Sequence, residues 1–284
     1  MTAPRLLALT DDLFLLPRFE DAAAALGFAC ERADMQQLAA EAIDRPVPLT
    51  EPLEGADADL VRALVTDPPA LILVDLASSA IPWRRWIQML KTSSATRRVP
   101  IVAFGPHVGE AELDEARRLG ADRVVTRGQL QARLAEILRA EAKPPDATAI
   151  AAGCGEALAA EARRGLEMLE AGAYLEAHEH FERAVLDRPG PEGTVYRCLL
   201  HLAVAHLHTQ RGNWRGAQKM LLRMRPWLAS LPAACRGLDV AALRTELDRL
   251  QAALDEWRGG AGQPRPLRPP KVPFTEVPPA RPSE

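Results

Sequence analysis

Two short runs, "ALILVDL" (70–76) and "VPIVAF" (99–104), are almost wholly apolar. Each is too short for a buried helix and reads as a strand covered on both faces, as in a parallel sheet. "RLLALT" (5–10), "GFACER" (27–32) and "DRVVT" (122–126) read as three further strands. Helical periods fall between them at about 12–25, 57–66, 83–92, 110–119 and 128–140. Strand–helix alternation of this kind predicts a doubly wound parallel α/β sheet over residues 1–140. The proline-bearing stretch "DRPVPLTEPLEG" (44–55) predicts an exposed excursion within it.

Beyond this region the pattern changes. "AKPPDATAIAAGCG" has the composition of a linker, assigned here to 141–155. From 156 to 257 every period is helical, which predicts an all-α bundle as a second domain. The tail, 258–284, has eight prolines in 27 residues and is expected to be disordered. Its "PLRP" and "PKVP" match P-x-x-P spacing, a pattern that arises readily in any proline-rich tail. The last helical pattern spaces Val240, Leu243, Leu247, Leu250, Leu254 and Trp257 by threes and fours. With fewer than three heptads, packing against its own bundle is the expectation, with a coiled-coil seam as the alternative.

Charge narrows the function classes. A net charge of −3 with no run of Lys and Arg predicts no nucleic-acid groove. The N-terminal apolar run is broken by Asp11 and Asp12, so neither a secretory signal nor a membrane span is expected. Cys30, Cys154, Cys198 and Cys235 are scattered, with no C-x-x-C pair. That spacing predicts reduced thiols and a cytoplasmic protein.

In a parallel α/β sheet, functional residues gather at the carboxyl ends of the strands. Asp11 and Asp12 end the first predicted strand and Asp75 the third. Three carboxylates there are a candidate site for a divalent metal ion. The stretches "ALTDD", "LILVDL", "RRVPIVAF" and "RLGADRVVTRGQL" resemble the receiver domains of bacterial response regulators, over roughly 5–140. The resemblance implies that Asp75 is the phospho-acceptor and that Asp11 and Asp12 are the magnesium-binding pair. Two other residues depart from the pattern. Gly105 stands where a hydroxyl residue is expected, and Arg127 where a lysine is. Arginine is planar, longer and differently solvated, so it is not an equivalent donor.

Five of the six histidines lie in "YLEAHEHFERA" (174–184) and "CLLHLAVAHLHTQRGN" (198–213). "GAYLEAHEHFERA" repeats at an offset of 40 as "GNWRGAQKMLLRM", matching Gly172 to Gly212, Tyr174 to Trp214 and Ala177 to Ala217. Such a repeat predicts two helix–turn–helix pairs. A tetratricopeptide array fits poorly, since its units recur every 34 residues and are stable only in threes or more. The combination of His-Glu, a later His, Gly-Asn and Gly-Ala resembles a bacterial family of helical domains, domain-of-unknown-function family 309. The matching residues are His178, Glu179, His208, Gly212, Asn213, Gly216 and Ala217, with Glu182 at the following acidic position. The family has been labelled a metal-dependent hydrolase. On that reading His178, Glu182 and His208 are metal ligands and Glu179 is the general base. The competing expectation is that His178 and His208 are buried, neutral core residues hydrogen-bonded to Glu182 or Glu179, because H-E-x-x-H is not completed here.

The readings converge on a non-catalytic regulatory or protein-interaction protein: a degenerate receiver followed by a helical domain. Its partner would be another protein or a second copy in a homodimer, with no nucleic acid and no membrane. The alternatives are a metal-dependent hydrolase and a phospho-responsive regulator.

Overall fold

The computed structural model describes residues 3–33, 55–107, 109–258 and 267–275. The excursion expected at 44–55 lies outside them except for its last residue. The chain divides into two compact units, Met1–Pro144 and Pro145–Glu284.

The first unit is a five-stranded parallel sheet. Its strands are β1 (Arg5–Leu9), β2 (Ala29–Arg32), β3 (Leu71–Asp75), β4 (Ile101–Gly105) and β5 (Arg123–Thr126). They lie in the order β2-β1-β3-β4-β5, and every neighbouring pair is parallel. This is the receiver-like, flavodoxin-type doubly wound order, whose crevice opens where strand order reverses at β1 and β3. The two apolar runs supply the interior strands β3 and β4, buried at every position. The edge strand β2 is largely exposed.

The helices of this unit are α1 (Leu16–Ala24), α2 (Gly55–Thr66), α3 (Trp83–Thr92), α4 (Glu110–Arg118), α5 (Arg127–Ala132) and α6 (Leu134–Glu141). Leu6, Ala8, Leu73 and Phe104 form one core with Phe19 of α1 and with Leu134, Ile137 and Leu138 of α6. Phe19 meets Phe104 edge-to-face, with ring centroids 5.8 Å apart, a favoured aromatic geometry. Strand residues alternate faces, so Leu7, Leu9, Ile72 and Val74, equally buried, point to the opposite side. Asp57 of α2 is buried and accepts from Trp86 Nε1 at 3.1 Å and from Arg85 Nε at 2.5 Å. A buried carboxylate is tolerable only when paired in this way. The single helix expected over 128–140 is two, interrupted at Arg133 (φ −129°).

The second unit is built from helix pairs. It comprises α7 (Ala147–Cys154), α8 (Ala160–Glu170), α9 (Tyr174–Asp187), a 3-10 turn (Pro191–Gly193), α10 (Thr194–Gln210), α11 (Trp214–Ala229) and α12 (Val240–Arg258). The 40-residue repeat is visible as the pairs α8–α9 and α10–α11, whose turns place Gly172 and Gly212 at φ +77° and +68°. Phe181 lies so close to α8 that a Cβ on Gly165 would meet its ring at 2.5 Å. Val240, Leu243, Leu247, Leu250 and Leu254 are buried in this unit's own core, so the stripe of α12 is intramolecular.

Four expectations need correction here. Residues 147–154, expected as linker, form α7; Asp146 caps it by accepting from Ala149 N–H at 2.9 Å. The small residues there serve packing: a Cβ on Gly153 would lie 2.4 Å from the Glu192 carbonyl oxygen. Strands do occur beyond 156, as the hairpin β6 (Ala234–Cys235) and β7 (Leu238–Asp239). Its two-residue turn, Arg236 and Gly237, has positive φ at both positions, the arrangement that matches strand twist. Cys154 and Cys235 are joined by a disulfide rather than kept as thiols. Tertiary proximity across 81 residues decides that pairing. Finally, part of the expected disordered tail, 267–275, is extended and packed: Val272 is buried, and Leu267 and Phe274 pack on the core. Proline forbids helix there but not extended chain. Among the described residues no helix is long and apolar enough to cross a membrane.

Candidate functional site

The crevice at the ends of β1 and β3 brings together Thr10, Asp12, Asp75 and Arg127. Asp75 closes β3 and is 1 % exposed. Its Oδ2 accepts from Thr10 Oγ1 at 3.0 Å and from Arg127 Nη2 at 2.9 Å, and its Oδ1 accepts from Ala77 N–H at 3.1 Å. Arg127 opens α5, which begins directly after β5. The other end of its guanidinium donates to Asp12 Oδ2 at 2.7 Å. Asp12 Oδ1 accepts from Phe14 N–H at 2.9 Å, a local turn that leaves the Phe14 ring 91 % exposed. Thr10 Oγ1 in turn accepts from Asp12 N–H at 3.1 Å.

Every oxygen of both carboxylates therefore has a donor, and one guanidinium bridges the two. A planar fork suits this bridging better than an ammonium would. The expected trio does not form: Asp11 is exposed, and among the described residues no three acidic, His or Cys side chains converge as a metal ion needs. Beside Asp75, an open cleft of about 280 Å³ is lined by Leu76, Ala77, Gly105, Pro106 and Leu113, with Glu112 its one charged group among the described residues. A Cβ on Gly105 would make only ordinary contacts, 3.4 Å to Leu76 and 3.6 Å to Leu113. Glycine at 105 thus removes a side-chain donor without being required by space. Thr10 and the bridging role of Arg127 are what the sequence reading missed. The adjacency of "LTDD" to the start of "RGQL" exists only through the parallel order of β1, β3, β4 and β5.

In the helical unit the proposed ligands His178, Glu182 and His208 do not form a site. Among the described residues no three His, Cys, Asp or Glu side chains converge as a metal ion needs. Glu182 and Glu179 are exposed, and Glu179 lies 4.0 Å from Arg183 in an i, i+4 pair. His208 turns instead to the α10–α11 turn, its Nδ1 3.1 Å from Asn213 Nδ2. Asn213 also caps α11, its Oδ1 accepting from Gly216 N–H at 2.9 Å. A Cβ on Gly216 would lie 2.7 Å from both Asn213 Nδ2 and His208 Nδ1, and Ala217 is fully buried. Burial and the nearby Arg211 charge both hold the His208 imidazole below its ordinary pKa, which suits an acceptor nitrogen facing the Asn213 amide.

The buried histidine is a different one. His206 is 0 % exposed, its Nε2 is 2.8 Å from Glu246 Oε1, and its ring stacks on Tyr174 at 5.0 Å. Arg249 donates to both oxygens of Glu246 at 2.7 and 2.8 Å. Burial pushes the Glu246 carboxyl up, but the bonds from His206 and Arg249 outweigh it and hold it below the ordinary glutamate value. The signal was present: His206 continues the core spacing Leu199, Leu202, Ala203. His180 pairs with Glu161 at 2.7 Å.

Residues 162–220, spanning most of α8 through the first half of α11, match the family model described as "Domain of unknown function (DUF309)". The first half is similar to solved receiver structures. One is the receiver domain of a sensor histidine kinase from Pseudomonas aeruginosa PAO1 with magnesium coordinated in its active-site cleft. It is 17 % identical with TM-score 0.36, over 49 % of this chain and 97 % of that one. A second is the signal receiver domain of a histidine kinase from Syntrophus aciditrophicus, at 17 % identity and TM-score 0.36, over 49 % and 89 %. A third is a CheY-like protein from Pseudomonas aeruginosa PAO1, at 17 % and 0.36, over 48 % and 98 %. No curated protein matches the chain.

Proposed function

We propose that this is a non-catalytic regulatory or interaction protein whose receiver-like unit works without phosphotransfer. The observation that carries the reading is the Arg127 guanidinium bound to both Asp12 and Asp75. It occupies one oxygen of each carboxylate that would otherwise face a cation and offsets one of their two charges, and it covers the acceptor oxygen that a phosphoryl group would need. A divalent ion would have to displace an arginine that already satisfies both groups. Gly105 supplies no side-chain hydroxyl to a phosphoryl oxygen. The unit is therefore held in one state, and a protein partner reads its surface rather than a switch. A cytoplasmic location is part of this reading, and it requires the Cys154–Cys235 disulfide to be an exception to the rarity of such bonds in a reducing compartment.

The test is to incubate the full chain with phosphoramidate and magnesium and record intact mass. The expected result is no phosphoryl adduct on the wild type and an adduct on the Arg127→Lys, Gly105→Ser variant that disappears with Asp75→Asn. A stoichiometric adduct on the wild type, lost in Asp75→Asn, would establish a phospho-responsive regulator instead.

A further inference from the structure

The segment 267–275 lies on the helical unit as a bound extended peptide would. Residues alternate: Pro270 and Val272 are buried, Lys271 and Pro273 exposed, and Phe274 half-buried. Its main chain pairs antiparallel with the hairpin, through a bridge between Leu238 and Phe274. Asp239 N–H donates to the Pro273 carbonyl at 3.1 Å, and Thr275 N–H donates to the Gly237 carbonyl at 2.9 Å. Upstream, Arg249 donates to the Arg268 carbonyl at 2.7 Å. The Arg163 guanidinium sits 5.5 Å over the Phe274 ring. Leu267, Val272 and Phe274 all pack against the helical core.

The receiving surface is shaped for this approach. A Cβ on Gly237 would lie 1.9 Å from the Thr275 carbonyl oxygen, so the hairpin admits the second chain only because residue 237 has no side chain. The turn is held from beneath by Arg236, which is 2 % exposed. Arg236 pairs with Glu156 at 3.0 Å and donates to the Ala157 carbonyl at 2.9 Å. Strand addition to a sheet edge, with main-chain bonds for affinity and alternate side chains for specificity, is a recurring way to bind peptides. The main-chain bonds are blind to sequence. Any extended segment with the same spacing of apolar groups makes them.

We infer that the β7 edge, α12 and α8 form a peptide-receptor groove, and that the tail occupies it in cis as a built-in competitor. The trans ligand is an extended, proline-containing segment of a partner protein with apolar residues spaced as in Pro270-x-Val272-x-Phe274. The tether from Arg258 raises the local concentration of the tail, so a partner must displace it or bind when it is released. This inference stands apart from the Arg127 clamp, since its groove lies wholly in the second unit and uses none of the same residues.

The probe is a fluorescein-labelled peptide of residues 264–277, titrated by anisotropy into the full chain and into the Val272→Asp, Phe274→Ala variant. The variant, its own tail disabled, is expected to bind the peptide at least tenfold tighter than the wild type. A peptide carrying Val272→Asp is expected not to bind. A chain ending at residue 262 provides a second opened form, checked for its helical circular dichroism. No binding by either opened form while folded overturns the inference, as does equal binding by the wild type. Tail-dependent dimers in sedimentation would also overturn it, by making a second copy the occupant.

Discussion

Replacing Glu246 by alanine tests whether the buried polar network of the helical unit is held by this one carboxylate. His206 is fully buried and among the described residues its Nδ1 has no hydrogen-bond partner, so the 2.8 Å bond to Glu246 is the one its ring retains among them. Removing the acceptor leaves the whole imidazole unsatisfied, which costs about 1–3 kcal/mol. The side chain of Glu246 is itself only 10 % exposed, and its loss from a packed surface adds about 1 kcal/mol. The Arg249 side chain is 36 % exposed, so its pair is screened and adds at most about 0.5 kcal/mol. The total is ~2–4 kcal/mol, or a fall in Tm of ~6–12 °C for a unit of this size. Arg249→Ala, by contrast, should cost under about 1 kcal/mol. Thermal melts of the full chain, read by near-UV circular dichroism to which the stacked Trp214–Trp257 pair contributes, measure both. The pH dependence has a definite sign. The folded Glu246 carboxyl lies below its ordinary value of 4.5. Its contribution is therefore complete above about pH 4.5 and fades as pH falls through that value toward the lowered one. The gap between wild type and variant must narrow in acid. An unchanged Tm for Glu246→Ala, or an equal loss for Arg249→Ala, would refute the argument.

Three further outcomes are expected. Cys154 and Cys235 close a loop of 81 residues, worth up to about 4–5 kcal/mol by chain entropy and commonly 2–4; the Cys154→Ser, Cys235→Ser variant should melt lower, and dithiothreitol should bring the wild type down to it. Gly165→Ala must drive a Cβ into the Phe181 ring at 2.5 Å and should cost ~1–3 kcal/mol, while Gly105→Ala, whose Cβ would come no nearer than 3.4 Å to a neighbour, should not lower the urea midpoint. The His208 imidazole should titrate below its ordinary 6.5 in an NMR pH series, because burial and then Arg211 oppose its charge. Arg211→Ala should raise it. The sign for stability follows, since the unfolded state takes up this proton first as pH falls below 6.5.

Local pattern determined a large share of this molecule. The apolar runs at 70–76 and 99–104 could only be interior strands, because nothing else buries both faces of so short a segment. The 40-residue repeat announced two helix pairs, and the leucine spacing of α12 announced its buried stripe. These follow from periodicity, which is a property of neighbours in the chain. What required the tertiary structure were meetings between residues far apart. Arg127 reaches Asp12 across 115 positions and Asp75 across 52. His206 finds Glu246 across 40, and Cys154 finds Cys235 across 81. Periodicity places a side chain on a face but does not say which distant partner that face will meet. The two carboxylates that looked like part of a cation site are thus bridged by an arginine, the ligand candidate His208 turns to a helix cap, and the core histidine is His206. The tail's prolines excluded helix in the sequence. Only the hairpin edge at Gly237, open because it lacks a Cβ, decided that residues 267–275 would pack there through an antiparallel bridge at Phe274.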